Sequence, residues 1–398
     1  MVMPDEVIYL DNHATTRVDP RVVEAMSPYF TEIYGNAGSV SHAYGQAAKE
    51  AVDQARATIA AAIGAGERDI VFTSGATESV NLAIRGVAER QRRKGNHIIS
   101  LTTEHRAVLD PLAKLARRGY EVTLVPVVPN GGGNAALVDL DRLSEALREE
   151  TILVSVMLAN NEVGVIQPIA DIGRLCRERG ITFHCDATQA VGKLPVDVNA
   201  LGVHLMSFTA HKMYGPKGVG ALYVRRRDML SRLEPQIDGG GQEWGMRSGT
   251  LNTHGIVGFA TALRLCMEEL PSEGPRLAAL RDRLYQKLKR AVGDLVLNGP
   301  TLDRSLRLDG NLNVSFPLVD GEALMMSMRR IAVSSGSACT SANPEPSHVL
   351  RALNIDEDLT RASLRFGLGR FNTPADIEIA VAAVAETVAR LRKLSGMA

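Results

Sequence analysis

ITFHCDATQAVGK, residues 181–193, is apolar in its first half and polar in its second. Thr182 and Phe183 suit a strand, and Asp186 and Gln189 stand where that strand would end. A carboxylate in that place is costly unless a cation or a full set of hydrogen bonds holds it, so Asp186 is a candidate functional residue. His184, Cys185 and Asp186 also suggest a metal site. Successive strand residues point to opposite faces, however, which argues against a shared ion.

The same change of character recurs along the chain. DIVFTSG (69–75), HIISLTTEH (97–105) and TILVSVMLANNE (151–162) are apolar runs that end in polar residues. Between them lie amphipathic stretches, SVNLAIRGVAERQRRKG, RAVLDPLAKLARRG and PIADIGRLCRERG. Each closes with Gly, the residue favoured just past a helix end. This alternation predicts an α/β fold with a mostly parallel sheet covered on both faces. Functional residues are then expected just beyond the C-terminal ends of the strands.

A helical stretch follows Thr253 (HGIVGFATALRLCMEEL), and PSEGP (271–275) after it is rich in breakers and is expected to form a joint. Beyond lie a helix RLAALRDRLYQKLKRAV, a strand NLNVSFPLVD, a helix GEALMMSMRR, a strand SLRFGLGRF and a closing helix from Ala375. They predict a smaller α+β domain. The expected division is a large domain over 15–260 and a small one formed by 1–14 with 261–398. PNGGGNAA (129–136) reads as a flexible turn.

Composition narrows the function. The 398 residues carry 45 Lys plus Arg against 45 Asp plus Glu. No global field favours nucleic acid or an anionic membrane, so a charged ligand must be held by a local site. No apolar run approaches the ~18 residues of a membrane span, and the acidic N-terminal stretch does not read as a signal peptide. Four scattered cysteines without a CxxC pair argue for a reducing, cytoplasmic setting and against a zinc site.

Two further strand ends complete a pattern. FTSGATES (72–79) joins a strand to a helix, where small residues admit a ligand and exposed amides favour an anion. It lacks the glycine fingerprints of nucleotide and dinucleotide loops, and on its own it is equally a capping arrangement. SFTAHKMYGPKG (207–218) places Lys212 beside His211 in a loop after another apolar strand. An anion cradle, a carboxylate for a ring nitrogen and a lysine for a Schiff base are together the parts that hold pyridoxal phosphate.

At full length the chain resembles the NifS/IscS cysteine desulfurases of the class V aminotransferase group, which are fold-type I pyridoxal-phosphate enzymes. The motifs that carry the resemblance include YLDNHATT (9–16), FTSGATES, TEHRAVL (103–109), ANNEVGV (159–165), HCDATQAVGK and TAHKMYGPKG. GMRSGT (245–250), SSGSACTS (334–341), EPSHVLRAL (345–353) and RFGLGRF (365–371) follow in family order. The resemblance implies a seven-stranded type of sheet in the large domain. It implies that Lys212 bonds the cofactor covalently, Asp186 faces the pyridine nitrogen, Gln189 bonds the ring hydroxyl, and His105 stacks on the ring and shuttles protons. Ala76, Thr77, Thr209 and His211 are expected to hold the phosphate, with Thr250 reaching in from the second subunit of a homodimer. Asn161 and Arg365 are expected to hold the substrate carboxylate, Asn161 also touching the cofactor; the planar fork of Arg365 suits a carboxylate.

Cys339 sits in a run of small residues that cannot bury it. The resemblance implies that it attacks the sulfur of cofactor-bound L-cysteine, becomes a persulfide and leaves alanine behind. The sulfur would then pass to an acceptor such as an iron–sulfur scaffold or a tRNA-thiolation enzyme, and Cys339 could transiently ligate a nascent cluster. No resident metal and no direct nucleic-acid contact are expected. Cys176, Cys185 and Cys266 read as packing residues. A selenocysteine lyase or another enzyme of the same group is the alternative.

The chain departs from the family pattern at several places. His13 stands for Asn or Ser, Arg17 for Pro, Ala37 for Pro, Val80 for Asp and Gly367 for Ser. None is expected to touch an assigned residue, and His13 is expected near the substrate entry. The chain closes at LRKLSGMA, short of the tail with which housekeeping members dock the scaffold, so that interface is expected to differ.

Overall fold

The structure, a computed structural model, describes residues 7–335 and 346–394. Its main sheet has seven strands. In spatial order they are Ile70–Thr73, Gly220–Val224, Leu205–Thr209, Thr182–Asp186, Thr151–Met157, His97–Leu101 and Glu121–Val125. All pairs are parallel except those made by Gly220–Val224, which runs antiparallel to both neighbours. The apolar runs of the sequence form its buried strands. Glu121–Val125 and Gly220–Val224, which the motif reading did not single out, complete it.

Helix Ala76–Gln91 shows how the sequence seats these layers. Val80, Ala83, Ile84 and Val87 recur at helical spacing and are buried. Each such aliphatic side chain larger than Ala contributes about 1.5–3 kcal/mol when fully buried. Gly75, before this helix, has φ 155°. Gly220 on the adjacent strand is equally constrained, because a Cβ there would lie 2.7 Å from the Gly75 backbone. Only glycine permits strand and helix start to approach this closely.

A second core packs Leu10 with Leu284, Leu288, Leu312, Phe366 and Val384. Strand Ile8–Tyr9 pairs in parallel with Ile331–Ala332, and Asp11 bridges to Gly367. Asn311–Ser315 pairs antiparallel with Ser363–Gly367.

The expected joint at PSEGP is not there. One 40-residue helix, Thr253–Val292, continues through Pro271 and Pro275. Tertiary contacts override the breakers. Glu269 and Glu273 pair with Arg370 at 2.9 and 3.1 Å, and Tyr214 Oη donates to Glu273 at 3.1 Å. Buried Gly274 lies so close to Asp309 that a Cβ would come within 2.7 Å of its carboxylate. Among the described residues no helix is long and apolar enough to cross a membrane.

Candidate active site

The C-terminal ends of the parallel strands open onto one cavity of about 560 Å³, within the range of small-molecule sites. The fold gathers there Ala76, Thr77, His105, Asn161, Asp186, Gln189, Thr209, His211, Lys212 and Arg365. Thr250 is exposed and is not among the lining residues. Cys339 lies outside the described residues.

The helix that begins at Ala76 has no side-chain cap, so its first amides face the cavity unclaimed by one. Glu78 in that first turn is neutralised by Arg247 at 2.7 Å. The local potential therefore favours an anion. Thr209 Oγ1 donates to Val219 O at 2.9 Å. His211 lies 3.2 Å from Thr15 Oγ1, and burial together with Lys212 and Lys217 pushes its pKa down to about 4. It is a neutral hydrogen-bonding group at ordinary pH.

Asp186 is buried and accepts from the Thr188 N–H at 3.0 Å. Near enough to feel its charge lies Glu104, whose Oε1 accepts from the Met157 N–H at 2.9 Å and whose Oε2 has no partner among the described residues. Burial, reinforced by the charge of Asp186, raises the Glu104 pKa far above the usual carboxylate range. The motif reading gives Glu104 no role; its place beside His105 in TEHRAVL is the signal that could have found it. His184 lies between Ser155 Oγ and Ser207 Oγ, 2.9 Å from each, which gives it a packing role.

His105 caps its own helix. Its Nδ1 accepts from the Ala107 N–H at 3.0 Å. The neutral ring therefore carries its proton on Nε2. Burial lowers its pKa, and protonation of Nδ1 would break the cap. Lys212 Nζ donates to His13 O and Ala14 O, both at 2.6 Å.

Arg365 is held by Asp11 Oδ1 at 2.8 Å, Ser334 Oγ at 3.0 Å and Asn161 O at 3.1 Å. Its Nε is buried without a partner among the described residues. Arg365 lines the cavity, and its guanidinium fits an anionic group there. The uncapped helix start, the buried Asp186 and Lys212 likewise fit the phosphate, the pyridine nitrogen and the aldehyde carbon of pyridoxal phosphate.

The departures from the family pattern are not all remote from the site. His13 Nδ1 is 3.2 Å from Gln189 Oε1, and its carbonyl accepts from both Gln189 and Lys212. It is 2 % exposed and lines the cavity, so it forms part of its wall. The expectation that no departure touches an assigned residue fails because residues 8–11 pair with Ile331–Ala332 and Gly367 far along the chain, which sets His13 against Gln189.

Known proteins match the same picture. The aminotransferase class-V family profile covers residues 8–379. A cysteine desulfurase IscS of Anaeromyxobacter dehalogenans (strain 2CP-C) is 55% identical over 388 residues, spanning 98% of this chain and 94% of the relative. A solved NifS-like protein superposes with TM-score 0.88 at 36% identity, covering 97% of this chain and all of the other. A structure described as SspA in complex with cysteine superposes with TM-score 0.79 at 36% identity, covering 92% of this chain and all of that one.

Proposed function

The chain belongs to the aminotransferase class-V family, and from that premise we propose how its residues carry out the work of a pyridoxal-phosphate-dependent cysteine desulfurase. The convergence of an uncapped helix start, a buried carboxylate and Lys212 on one cavity carries this reading. Pyridoxal phosphate, when bound, supplies an electron sink that weakens bonds at the carbons of an amino acid attached through its amine.

The first amides at Ala76 and Thr77, with His211 and with Thr209 once its hydroxyl turns from Val219 O, would hold the phosphate, and Lys212 Nζ would attach the aldehyde carbon. Asp186 holds a proton on the ring nitrogen, because a buried carboxylate keeps its charge best beside a cation. Gln189 donates to the ring oxygen. His105 covers the ring and offers its Nε2–H to the substrate. Arg365 and Asn161 orient the L-cysteine carboxylate, which leaves the substrate sulfur as the group to be removed.

Cys339, as thiolate, attacks that sulfur. An S–S bond forms, the substrate Cβ–S bond breaks with its electron pair left on the carbon skeleton, and protonation there gives alanine. Ser334 and Ser347 flank the run that contains Cys339. Ser334 Oγ donates to Asp11, which is paired with Arg365, and Ser347 Oγ donates to Glu162. Both flanks are thereby tied beside the substrate-carboxylate residues, which supports the assignment. The persulfide passes to an acceptor protein for iron–sulfur assembly or tRNA thiolation.

The enzyme works as a cytoplasmic homodimer in which the exposed Thr250 completes the phosphate site of the second copy. A smaller domain is supported by the separate core around Leu10 and Leu284, but a boundary at 260 is not, because helix Thr253–Val292 runs through it and Leu263, Cys266 and Leu350 belong to the large core.

The test is the visible spectrum of the holoenzyme before and after L-cysteine, with a thiol reductant present to release the persulfide sulfur as sulfide, and with alanine and sulfide assayed together. A cofactor band that shifts, with alanine and sulfide in equal amounts, is the expected result. A shift without sulfide would assign another amino-acid reaction to the same site. No cofactor band after reconstitution would overturn the reading.

A further inference from the structure

His13 and Gly367 both depart from the residues common at their positions, and the fold brings them into contact. A Cβ on Gly367 would lie 3.0 Å from His13 Cδ2 and 2.8 Å from His13 N. The Gly367 N–H donates to Leu10 O at 2.6 Å, and its carbonyl accepts from the Asn12 N–H at 3.1 Å. Gly367 is therefore fixed against the segment that carries His13, and the imidazole sits where a side chain at 367 would crowd it.

The hydrogen bonds of His13 determine its tautomer. Lys193 Nζ lies 2.7 Å from Gln189 Oε1. Gln189 Nε2 donates to His13 O at 2.8 Å. A carbonyl oxygen can only accept, so this contact fixes which end of the Gln189 carboxamide is nitrogen and which is oxygen. Oε1 can only accept, so His13 Nδ1 at 3.2 Å is the donor. Nε2 is then a bare lone pair, buried without a partner among the described residues. His13 lines both the main cavity and a second one of about 40 Å³, which Lys193, Tyr214, Glu273 and Asp309 also line. Burial, with Lys193, Arg365 and Lys212 facing the ring, keeps it neutral.

We propose that His13 is a positioning residue which, together with Lys193, locks the Gln189 carboxamide in the one orientation that turns an N–H toward the ring oxygen of the cofactor. It acts through Gln189 and rests on the assignment of Gln189 made above. Gln189 Nε2 carries two hydrogens and spends one on His13 O, leaving the second for this role. A reversed amide would set oxygen against oxygen and lose that hydrogen bond.

The experiment is a pH titration of the visible absorption of the holoenzyme and of four variants, Gln189→Leu, His13→Ala, His13→Asn and Lys193→Met, with cofactor affinity measured in parallel. His13→Ala and Lys193→Met are each expected to raise the absorption midpoint by about 0.5–1 pH unit and to weaken cofactor binding roughly three- to tenfold. Gln189→Leu should shift it at least as far. His13→Asn restores an N–H donor and should stay within about 0.3 unit of the parent. If Gln189→Leu shifts the midpoint and His13→Ala does not, the proposal is overturned and the role of Gln189 stands. If Gln189→Leu leaves it unchanged, both fall. A shift in His13→Asn as large as in His13→Ala would reduce His13 to a space-filling residue and overturn the proposal as well.

Discussion

Two buried arginines in this molecule are held in opposite ways. Arg56 donates to both carboxylate oxygens of Glu243 at 2.6 and 2.8 Å and to Ile70 O at 2.6 Å. Its guanidinium lies 4.5 Å from the Phe72 ring centroid and 4.7 Å from that of Trp244. Arg365 also has a carboxylate partner, Asp11, yet it keeps a buried N–H without one among the described residues. A guanidinium whose surroundings are complete fixes structure. One that lines a cavity beside its carboxylate partner is placed to receive something. The role of Arg56 is structural. It secures the loop in which Glu243 and Trp244 take φ of 48° and 58°, a conformation costing of order 1–3 kcal/mol per residue.

The contrast is most easily broken at Arg56. Arg56→Met would leave Glu243 buried without its cation, held only by the Phe72 N–H at 2.7 Å, and urea denaturation should show a loss of about 3–5 kcal/mol. The KM for L-cysteine of the enzyme that remains folded should stay within about twofold of the parent. A loss below about 1 kcal/mol would erase the distinction between the two arginines. Arg365→Lys should do the reverse, raising KM for L-cysteine about 10–100-fold while stability changes by less than about 1 kcal/mol. An unchanged KM would remove Arg365 from the substrate site.

The surroundings of Arg365 also carry a pH signature. Burial raises the pKa of Glu162 to about 7, and Ser347 and Arg365 only partly offset it. The folded state thus holds this proton more tightly than the unfolded chain does. The resulting cost is absent below about pH 4.5 and complete above about pH 7. Relative to Glu162→Gln, the parent should lose up to about 2 kcal/mol between pH 5 and pH 8 in denaturation experiments. A parallel pH dependence in both proteins would contradict that environment. The smallest effect is expected far from either arginine. Lys49 and Asp53 form an exposed pair on one helix, and Lys49→Ala should change stability by less than about 0.5 kcal/mol.

Much of the site is legible in the sequence because its residues sit where strands end. Asp186, Thr209, Lys212 and the Ala76–Thr77 turn each follow an apolar run, so local pattern and topology give the same answer. What escapes depends on contacts between distant segments. Pro271 and Pro275 read locally as a break, but ion pairs to Arg370 and the fit of Gly274 against Asp309 hold one continuous helix. His13 reads as a departure near the substrate entry that touches no assigned residue. Its part in the site follows from the pairing of Ile8–Tyr9 with Ile331–Ala332 and from the space at Gly367. Arg56 and Glu243 are 187 residues apart, and nothing local to either marks the pair.

The central claim is that Lys212, at the convergence of the strand ends, is the residue that bonds the cofactor. Lys217 lines the same cavity, and Lys193 touches Gln189 with its pKa lowered by burial to about 7. Either would be a chemically competent rival. Borohydride reduction of the holoenzyme followed by peptide mass mapping distinguishes all three. The pyridoxyl group is expected on Lys212 alone. Finding it on Lys193 or Lys217 would contradict the account of the site.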